Sequence, residues 1–186
     1  SYIKNETTVV VETTVPPGTC DKIIMPIILK NFKRRGIKTL PNLIHSYERV
    51  TPGKNYIKSI KKSFRIYSSS TIKAEKKFKD LYKDVIDLKN FSLIKLDKFI
   101  DSESAKILEN SYRAINIAFM QEWTQFSYEN KLSINKILNV IKLRKTHNNI
   151  MRPGLGVGGY CLTKDPLFAY LSTKKFFKGK KNNFEI

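Results

Sequence analysis

Cysteine and histidine are scarce in this sequence, and their scarcity excludes several kinds of site. Among 186 residues there are two cysteines, Cys20 and Cys161, and two histidines. The cysteines lie far apart and share no metal-ligand spacing with the histidines, so no zinc site is predicted. Two distant cysteines also do not suggest the disulfide framework of a small secreted domain. We expect two reduced thiols in a cytoplasmic protein without a metal.

Long apolar runs are also absent. No stretch of about 18 consecutive apolar residues occurs, so the sequence predicts no transmembrane helix and no membrane partner. The first residues, Ser-Tyr-Ile-Lys-Asn-Glu-Thr-Thr, include neither an initiator Met nor an apolar secretory segment. We therefore expect the chain to be an internal piece of a longer protein.

Acidic residues are few compared with basic ones. Sixteen Asp and Glu face 35 Lys and Arg, which gives a formal net charge of +19. Such a charge raises the possibility of a nucleic-acid binder, whose affinity for DNA would fall steeply with salt. However, 28 of the cations are lysines, spread along the chain, and only seven are arginines. We expect no nucleic-acid partner, and the positive field would suit a small phosphate-bearing substrate.

The first half of the chain alternates between strand and helix patterns. Short β-branched or apolar runs predict strands at Thr7–Glu12, Leu43–Ser46, Phe64–Tyr67 and Phe91–Leu96. Amphipathic patterns predict helices over 20–35 and over 71–86, the second capped by Ser70 or Thr71. This order is typical of an α/β sheet, in which ligands gather at the carboxyl ends of parallel strands. Thr13, Thr14 and Glu48 fall at such ends.

The second half of the chain is predicted to be helical. Residues 102–130 contain no glycine or proline and carry apolar residues at helical spacing, which predicts one long helix. Asn130 is predicted to take a left-handed conformation after it, and Ser133 to cap a second helix that ends near Leu143. A hydroxyl side chain is thus expected to cap two helices of the chain. Pro166 is predicted to lie in the first turn of a third, short helix.

The richest segment is Gly156–Pro166, where Cys161 directly follows a glycine run and precedes Lys164 and Asp165. Glycines let the backbone approach a ligand closely, and a thiol beside backbone amides and a cation can become a nucleophile. The alternative is a glycine-rich turn that contains a buried, inert cysteine. The cluster of thiol, amine and carboxylate favours chemistry.

A second set of polar residues lies on the long helix. Lys106, Asn110 and Arg113 occupy positions i, i+4 and i+7, so they share one helix face. Such a stripe usually faces solvent. Where it is buried instead, its polar groups need partners, and an amine and an amide could stabilise a developing oxyanion.

Four sequence motifs together resemble those of one protein family. They are Glu12–Thr19, Ser46–Val50, Ala105–Ala114 and Gly156–Pro166. In their order and spacing they resemble the UDP-glucose/GDP-mannose dehydrogenase family, from about residue 7 to residue 170, and in particular its branch that oxidises UDP-N-acetylhexosamines. The resemblance implies the C-terminal half of a Rossmann-like NAD-binding domain over 1–98 and a central all-helical domain with a long dimerisation helix over 99–173. A basic tail, 174–186, would lead to a UDP-binding domain.

The resemblance also implies an activity, the NAD-dependent four-electron oxidation of the C6 alcohol of a UDP-sugar to a uronate for surface polysaccharide synthesis. Cys161 matches the covalent nucleophile, and Lys106 and Asn110 match the groups that stabilise the oxyanions. Asp165 matches the carboxylate that helps to activate water. The implied catalytic set is completed by Glu48 and Thr14. The implied cofactor contacts are Thr13, Thr14 and Lys164. The implied substrate contacts are Glu48, Arg49, Lys106, Asn110, Arg113, Gly158 and Gly159.

Two features depart from the family pattern. Tyr47 stands between Ser46 and Glu48, where many members have proline, and no glycine-rich βα turn precedes Thr7. The second departure supports the reading as an internal fragment. An alternative function is therefore a catalytically inactive piece that acts only as a dimerisation module. In either case we expect a homodimer through the long helix, because its apolar residues cover more than one face; which nucleotide sugar is used stays open.

Overall fold

The computed structural model describes residues 3–177, which divide into two compact units. One unit holds the residues up to Lys106 together with those from Phe168 onward, and the other holds Ile107–Leu167. The predicted basic tail, 174–186, is described only up to residue 177, and residues 174–176 belong to the last helix and not to a tail.

The first unit contains a four-stranded sheet in the order β1-β2-β3-β4. The strands are β1 (Thr8–Val11), β2 (Asn42–His45), β3 (Arg65–Ser69) and β4 (Leu93–Lys95). β1 pairs with β2 in parallel, β2 with β3 antiparallel, and β3 with β4 in parallel. All four predicted strands are present. Although residues 9–11 are continuously apolar, β1 is only half-buried, because it is the first strand in the order of the described sheet.

Helices cover this sheet with apolar faces. A π-helical turn, Cys20–Ile24, leads into α1 (Met25–Arg34), whose buried Ile28 and Phe32 pack in one cluster with Leu43 of β2. α3 (Ile72–Tyr82) contributes Phe78 to a second cluster, around Ile44 and Tyr67.

The helices of this unit differ from the prediction in two respects. Thr71 caps α3, and its side chain accepts a hydrogen bond from the Ala74 amide at 2.9 Å, but α3 ends at Tyr82 and not at Ile86. A short helix, α2 (Tyr56–Lys61), was not predicted. Its six residues follow Pro52 and Gly53, which are typical of a loop.

The long helix α4 (Phe99–Glu129) confirms the prediction, and its 31 residues span about 46 Å. The next helix, α5 (Ile134–Ile141), is also present, and Ser133 occupies its N-cap position as predicted, but two details at its start differ. The left-handed residue is Lys131, with φ 55°, and not Asn130. The Ser133 side chain makes no capping hydrogen bond.

The last helix, α6 (Tyr160–Phe176), begins earlier than predicted, directly after Gly159. Pro166 therefore lies inside the helix and not in its first turn. A proline there lacks the N–H that would bond the carbonyl of Leu162. The consequence for the site is that Cys161 lies in the first turn of a helix. Among the described helices, none combines the length and apolarity that a membrane span requires.

Candidate active site

The carboxyl ends of β1 and β2 bring three predicted residues to one edge of the sheet. The parallel pairing continues beyond the strands, because the Ser46 amide donates to the Val11 carbonyl at 2.9 Å and the Glu48 amide to the Glu12 carbonyl at 3.2 Å. Glu48 therefore follows β2 where the Thr13-Thr14 segment follows β1. Hydroxyl and carboxylate groups thus line the edge at which α/β sheets bind ligands.

A buried arginine organises this edge. Arg65, at the start of β3, is 2% exposed. Its Nη1 donates to Glu48 Oε2 at 2.7 Å and its Nη2 to Glu12 Oε1 at 2.5 Å. It also donates to the Ser46 hydroxyl at 3.1 Å and to the Tyr82 hydroxyl at 2.9 Å. The guanidinium thus balances two carboxylates and fixes the direction of the Glu48 side chain.

Arg65 was not among the predicted site residues. The signal for it was a single cation in a run that otherwise reads as a buried strand, Phe64-Arg65-Ile66-Tyr67. A buried charge needs partners, so a cation at that position indicates acidic groups nearby. Which acids those are could not be read from the local sequence.

Lys106 lies beside the segment that follows β2. Its Nζ is 5.5 Å from the centroid of the Tyr47 ring. The Arg49 guanidinium is 5.4 Å from the same centroid and donates to the Tyr47 hydroxyl at 3.1 Å. The Glu48 carboxylate accepts a hydrogen bond from the Arg49 amide at 2.7 Å. The structure therefore brings Lys106 together with the Ser46–Arg49 motif.

Three buried hydrogen bonds anchor the start of α4. Ser102 Oγ lies 2.7 Å from Nδ1 of His45, the last residue of β2. The Glu103 carboxylate accepts hydrogen bonds from the amides of Gly18 at 2.5 Å and Cys20 at 2.8 Å. Ser102, Glu103 and His45 are at most 1% exposed. Lys106 therefore follows a helix turn that is tied to the end of β2 and to the turn that opens the Cys20–Ile24 helix.

The ionisable groups around this turn are perturbed by burial. Burial lowers the pKa of His45 to about 4, although the nearby Thr13 backbone opposes the change, and Nε2 makes no hydrogen bond within the described residues. Burial also raises the pKa of Glu103, against the effect of its two amide donors. Burial, followed by the neighbouring Glu103, raises the pKa of Cys20. Cys20 is thus a buried thiol and not a candidate nucleophile.

In the second unit, Asp165 is the centre of the predicted constellation. Its side chain is fully buried. Oδ2 accepts a hydrogen bond from Asn110 Nδ2 at 2.5 Å, and Oδ1 accepts one from the Lys164 ammonium. Asn110, which is 8% exposed, therefore has the partner that a buried polar group needs. Arg113, in contrast, is exposed and makes none of these contacts.

Cys161 is the second residue of α6 and is exposed. The backbone N–H groups of the first helical turn lie near such a position. The preceding segment Gly154–Gly159 spells G-x-G-x-x-G, with Gly158 and Gly159 both exposed. It follows a 3₁₀ turn, Lys145–His147, and not a strand, so it is not the dinucleotide fingerprint.

The residues present fit part of a nicotinamide dinucleotide. The Thr13-Thr14 segment follows β1, which pairs in parallel with β2, and its hydroxyls suit the hydroxyl and amide groups of such a ligand. In the described part of the chain, no glycine-rich turn joins a strand to a helix to hold the pyrophosphate. No group of three or more His, Cys, Asp or Glu residues among 3–177 could hold a metal ion.

Two family models match the chain. The NAD binding domain of the UDP-glucose/GDP-mannose dehydrogenase family matches residues 1–86, and the central domain of the same family matches residues 101–176. Together these two matches cover most of the chain.

Named relatives agree with the family models. UDP-N-acetyl-D-mannosamine dehydrogenase of Methanocaldococcus jannaschii is 31% identical over 175 residues, which are 93% of this chain and 37% of the relative. Among solved structures, the UDP-N-acetyl-mannosamine dehydrogenase Cap5O from Staphylococcus aureus matches with 29% identity and a TM-score of 0.73, over 89% of this chain and 38% of that one. The UDP-D-ManNAc dehydrogenase of Pyrococcus horikoshii matches with 27% identity and a TM-score of 0.76, over 93% and 40%. The chain thus spans about two fifths of the length of these relatives.

Proposed function

Because this chain belongs to the UDP-glucose/GDP-mannose dehydrogenase family, we propose that it forms part of an NAD-dependent nucleotide-sugar 6-dehydrogenase. The relatives' names support UDP-N-acetyl-D-mannosamine as the sugar. The observation that carries the proposal is the buried hydrogen bond between Asn110 and Asp165. On α6, Asp165 lies four residues after the exposed Cys161. Together these residues supply an oriented amide, a carboxylate and a thiol, which acyl chemistry requires.

Cys161 is the proposed nucleophile. Oxidation of the C6 alcohol to an aldehyde removes two electrons and two protons. The Cys161 thiolate then adds to the aldehyde carbon, so that a C–S bond forms and the carbonyl oxygen becomes an oxyanion. A covalent adduct keeps the aldehyde in place for the second oxidation. The exposed thiol at a helix N-terminus is suited to this addition.

Asn110 and Lys106 are the proposed oxyanion-stabilising residues. The Asp165 carboxylate accepts one amide hydrogen of Asn110, which fixes the amide plane and leaves its second N–H to donate elsewhere. Lys106 adds a positive charge. Such oriented donors stabilise developing negative charge without reorganising during the reaction.

The second oxidation converts the adduct to a thioester, and water then cleaves the C–S bond to release the carboxylate and regenerate the thiolate. Asp165 and Glu48 are the proposed carboxylates for water activation, with Thr14 as a holder of water. Thr13, Thr14 and Lys164 are the proposed contacts to NAD. When bound, NAD would accept two electrons in each oxidation, so two NAD would be consumed per sugar. Arg49, Arg113, Gly158 and Gly159 are the remaining proposed substrate contacts.

We also propose that the enzyme is a homodimer through α4. The apolar side chains of Phe119, Trp123 and Phe126, spaced i, i+4 and i+7, are 49%, 44% and 48% exposed in the single chain. The Trp123 ring lies 5.5 Å from that of Phe126 and 6.3 Å from that of Phe119, so the three form one aromatic stripe. A second copy of the stripe is a self-complementary surface that would bury it.

The test of the proposed function is the reaction stoichiometry. The full-length protein that carries this chain is incubated with limiting UDP-N-acetyl-D-mannosamine and excess NAD, and NADH is measured with the sugar product. We expect two NADH per sugar and a uronate product. One NADH per sugar, or an aldehyde product, would contradict a four-electron oxidation. A dimeric protein that forms no NADH with this or any other UDP-hexose would favour the inactive dimerisation module.

A further inference from the structure

Tyr47, which replaces the proline of many family members, contacts the proposed catalytic lysine. The Tyr47 side chain is 1% exposed, and the Lys106 ammonium lies 5.5 Å from its ring centroid. A cation within about 6 Å of an aromatic ring face is attracted by the ring quadrupole, and the attraction grows when the pair is removed from water.

Contacts of its own segment hold the Tyr47 ring in place. On either side of Tyr47, the amides of Ser46 and Glu48 bond to β1, and the Ser46 hydroxyl donates to the Ile66 carbonyl at 2.9 Å. The Tyr47 hydroxyl accepts a hydrogen bond from Arg49 at 3.1 Å. Both chain neighbours and the tip of the side chain are therefore held in place.

The helix that carries Lys106 is also anchored. One turn earlier, Ser102 is bonded to His45, two residues before Tyr47, and Glu103 is bonded to the Gly18 and Cys20 amides. Two anchored segments thus meet at the Tyr47–Lys106 contact. A lysine side chain has four rotatable bonds and samples many rotamers unless a neighbour restricts them.

We propose that Tyr47 is a positioning residue whose ring holds the Lys106 ammonium in the orientation that the oxyanion requires. The inference rests on the proposed function, in which Lys106 stabilises that oxyanion. Tyr47 acts through Lys106 and does not itself touch the reacting atoms. A proline at position 47 would break neither bond to β1, but it would remove the ring.

The test compares Tyr47→Phe with Tyr47→Leu in the full-length protein. Leu removes the ring, and we expect kcat to fall on the order of 10-fold, with a much smaller change in KM, because the loss affects the transition state. Phe keeps the ring and loses only the hydroxyl, so it should recover most of the lost kcat. In a Lys106→Met background, Tyr47→Leu should cause no further loss. Equal kcat for Phe and Leu, or a full further loss in that background, would overturn the proposal.

A second readout does not depend on turnover. After reductive ¹³C-methylation, the Lys106 methyl resonance, assigned through Lys106→Arg, should be shifted upfield by the ring. The shift should persist in Tyr47→Phe and vanish in Tyr47→Leu, or in Tyr47→Met if the Leu variant melts early. An unshifted resonance in the parent protein overturns the inference. A shifted resonance without NADH formation overturns the proposed function instead.

Discussion

Acid should destabilise the sheet unit through His45, and the effect can be isolated by replacing that residue. His45 is fully buried, and burial lowers its pKa from 6.5 to about 4. Between these pH values the unfolded chain binds a proton that the folded chain rejects. The stabilisation is therefore complete above pH 6.5 and is lost as the pH falls toward 4.

The size of the effect follows from the two pKa values. A difference of one pKa unit corresponds to about 1.4 kcal/mol. For His45 alone, the free energy of unfolding should fall by about 2 kcal/mol between pH 7 and pH 5, and by about 3 kcal/mol between pH 7 and pH 4. These losses are a substantial part of the stability of an ordinary domain.

The measurement is urea unfolding at pH 7, 6, 5 and 4 for the parent protein and for His45→Asn. Asn keeps a polar atom near the position that bonds Ser102, but it does not titrate. Both proteins share every other titrating group, so the difference between their pH profiles reports His45. The two free energies should converge as the pH falls. Parallel profiles would show that His45 does not reject a proton in the folded state.

Two further predictions concern stability and assembly. Arg65→Met should lower the free energy of unfolding by about 2 kcal/mol, because the buried Ser46 and Tyr82 hydroxyls and two partly exposed carboxylates lose their shared hydrogen-bond donor; urea unfolding checks this, and the exposed Lys62→Met should change little. An equal effect of both variants would mean that the Arg65 contacts contribute no stability. Trp123→Glu should convert the dimer to a monomer in sedimentation, whereas Tyr128→Glu, on the same helix but outside the stripe, should leave it dimeric. A Trp123→Glu protein that stays dimeric would refute the α4 interface.

Much of the fold could be predicted from local pattern. The strand positions follow from short β-branched runs, and α4 follows from a long stretch without glycine or proline. Thr71 could be named as one of two possible caps, because a hydroxyl before a helical pattern is a local signal. α2 was missed for the opposite reason, since six residues after a Pro-Gly pair carry too little periodicity.

The contacts that build the site depend on distant segments, and these could not be predicted. Arg65 is held by carboxylates 53 and 17 residues away in sequence. The Asn110–Asp165 pair joins residues 55 apart. The start of α6 was misplaced because proline usually opens a helix, whereas here the helix already begins at Tyr160. The sequence pattern could indicate that these polar groups need partners, but only the folded chain identifies the partners.

The central claim is that Cys161 forms a covalent bond with the sugar during turnover. The direct measurement is acid quenching of the full-length protein during turnover with UDP-N-acetyl-D-mannosamine and NAD, followed by mass spectrometry of the peptide that contains Cys161. The account predicts a sugar-nucleotide adduct on Cys161 in the parent protein and no adduct on Cys20, which is fully buried. Cys161→Ser should bind the nucleotide sugar but form product several orders of magnitude more slowly. A Cys161→Ser protein that forms uronate at the parent rate, with no adduct in the parent, would contradict the claim.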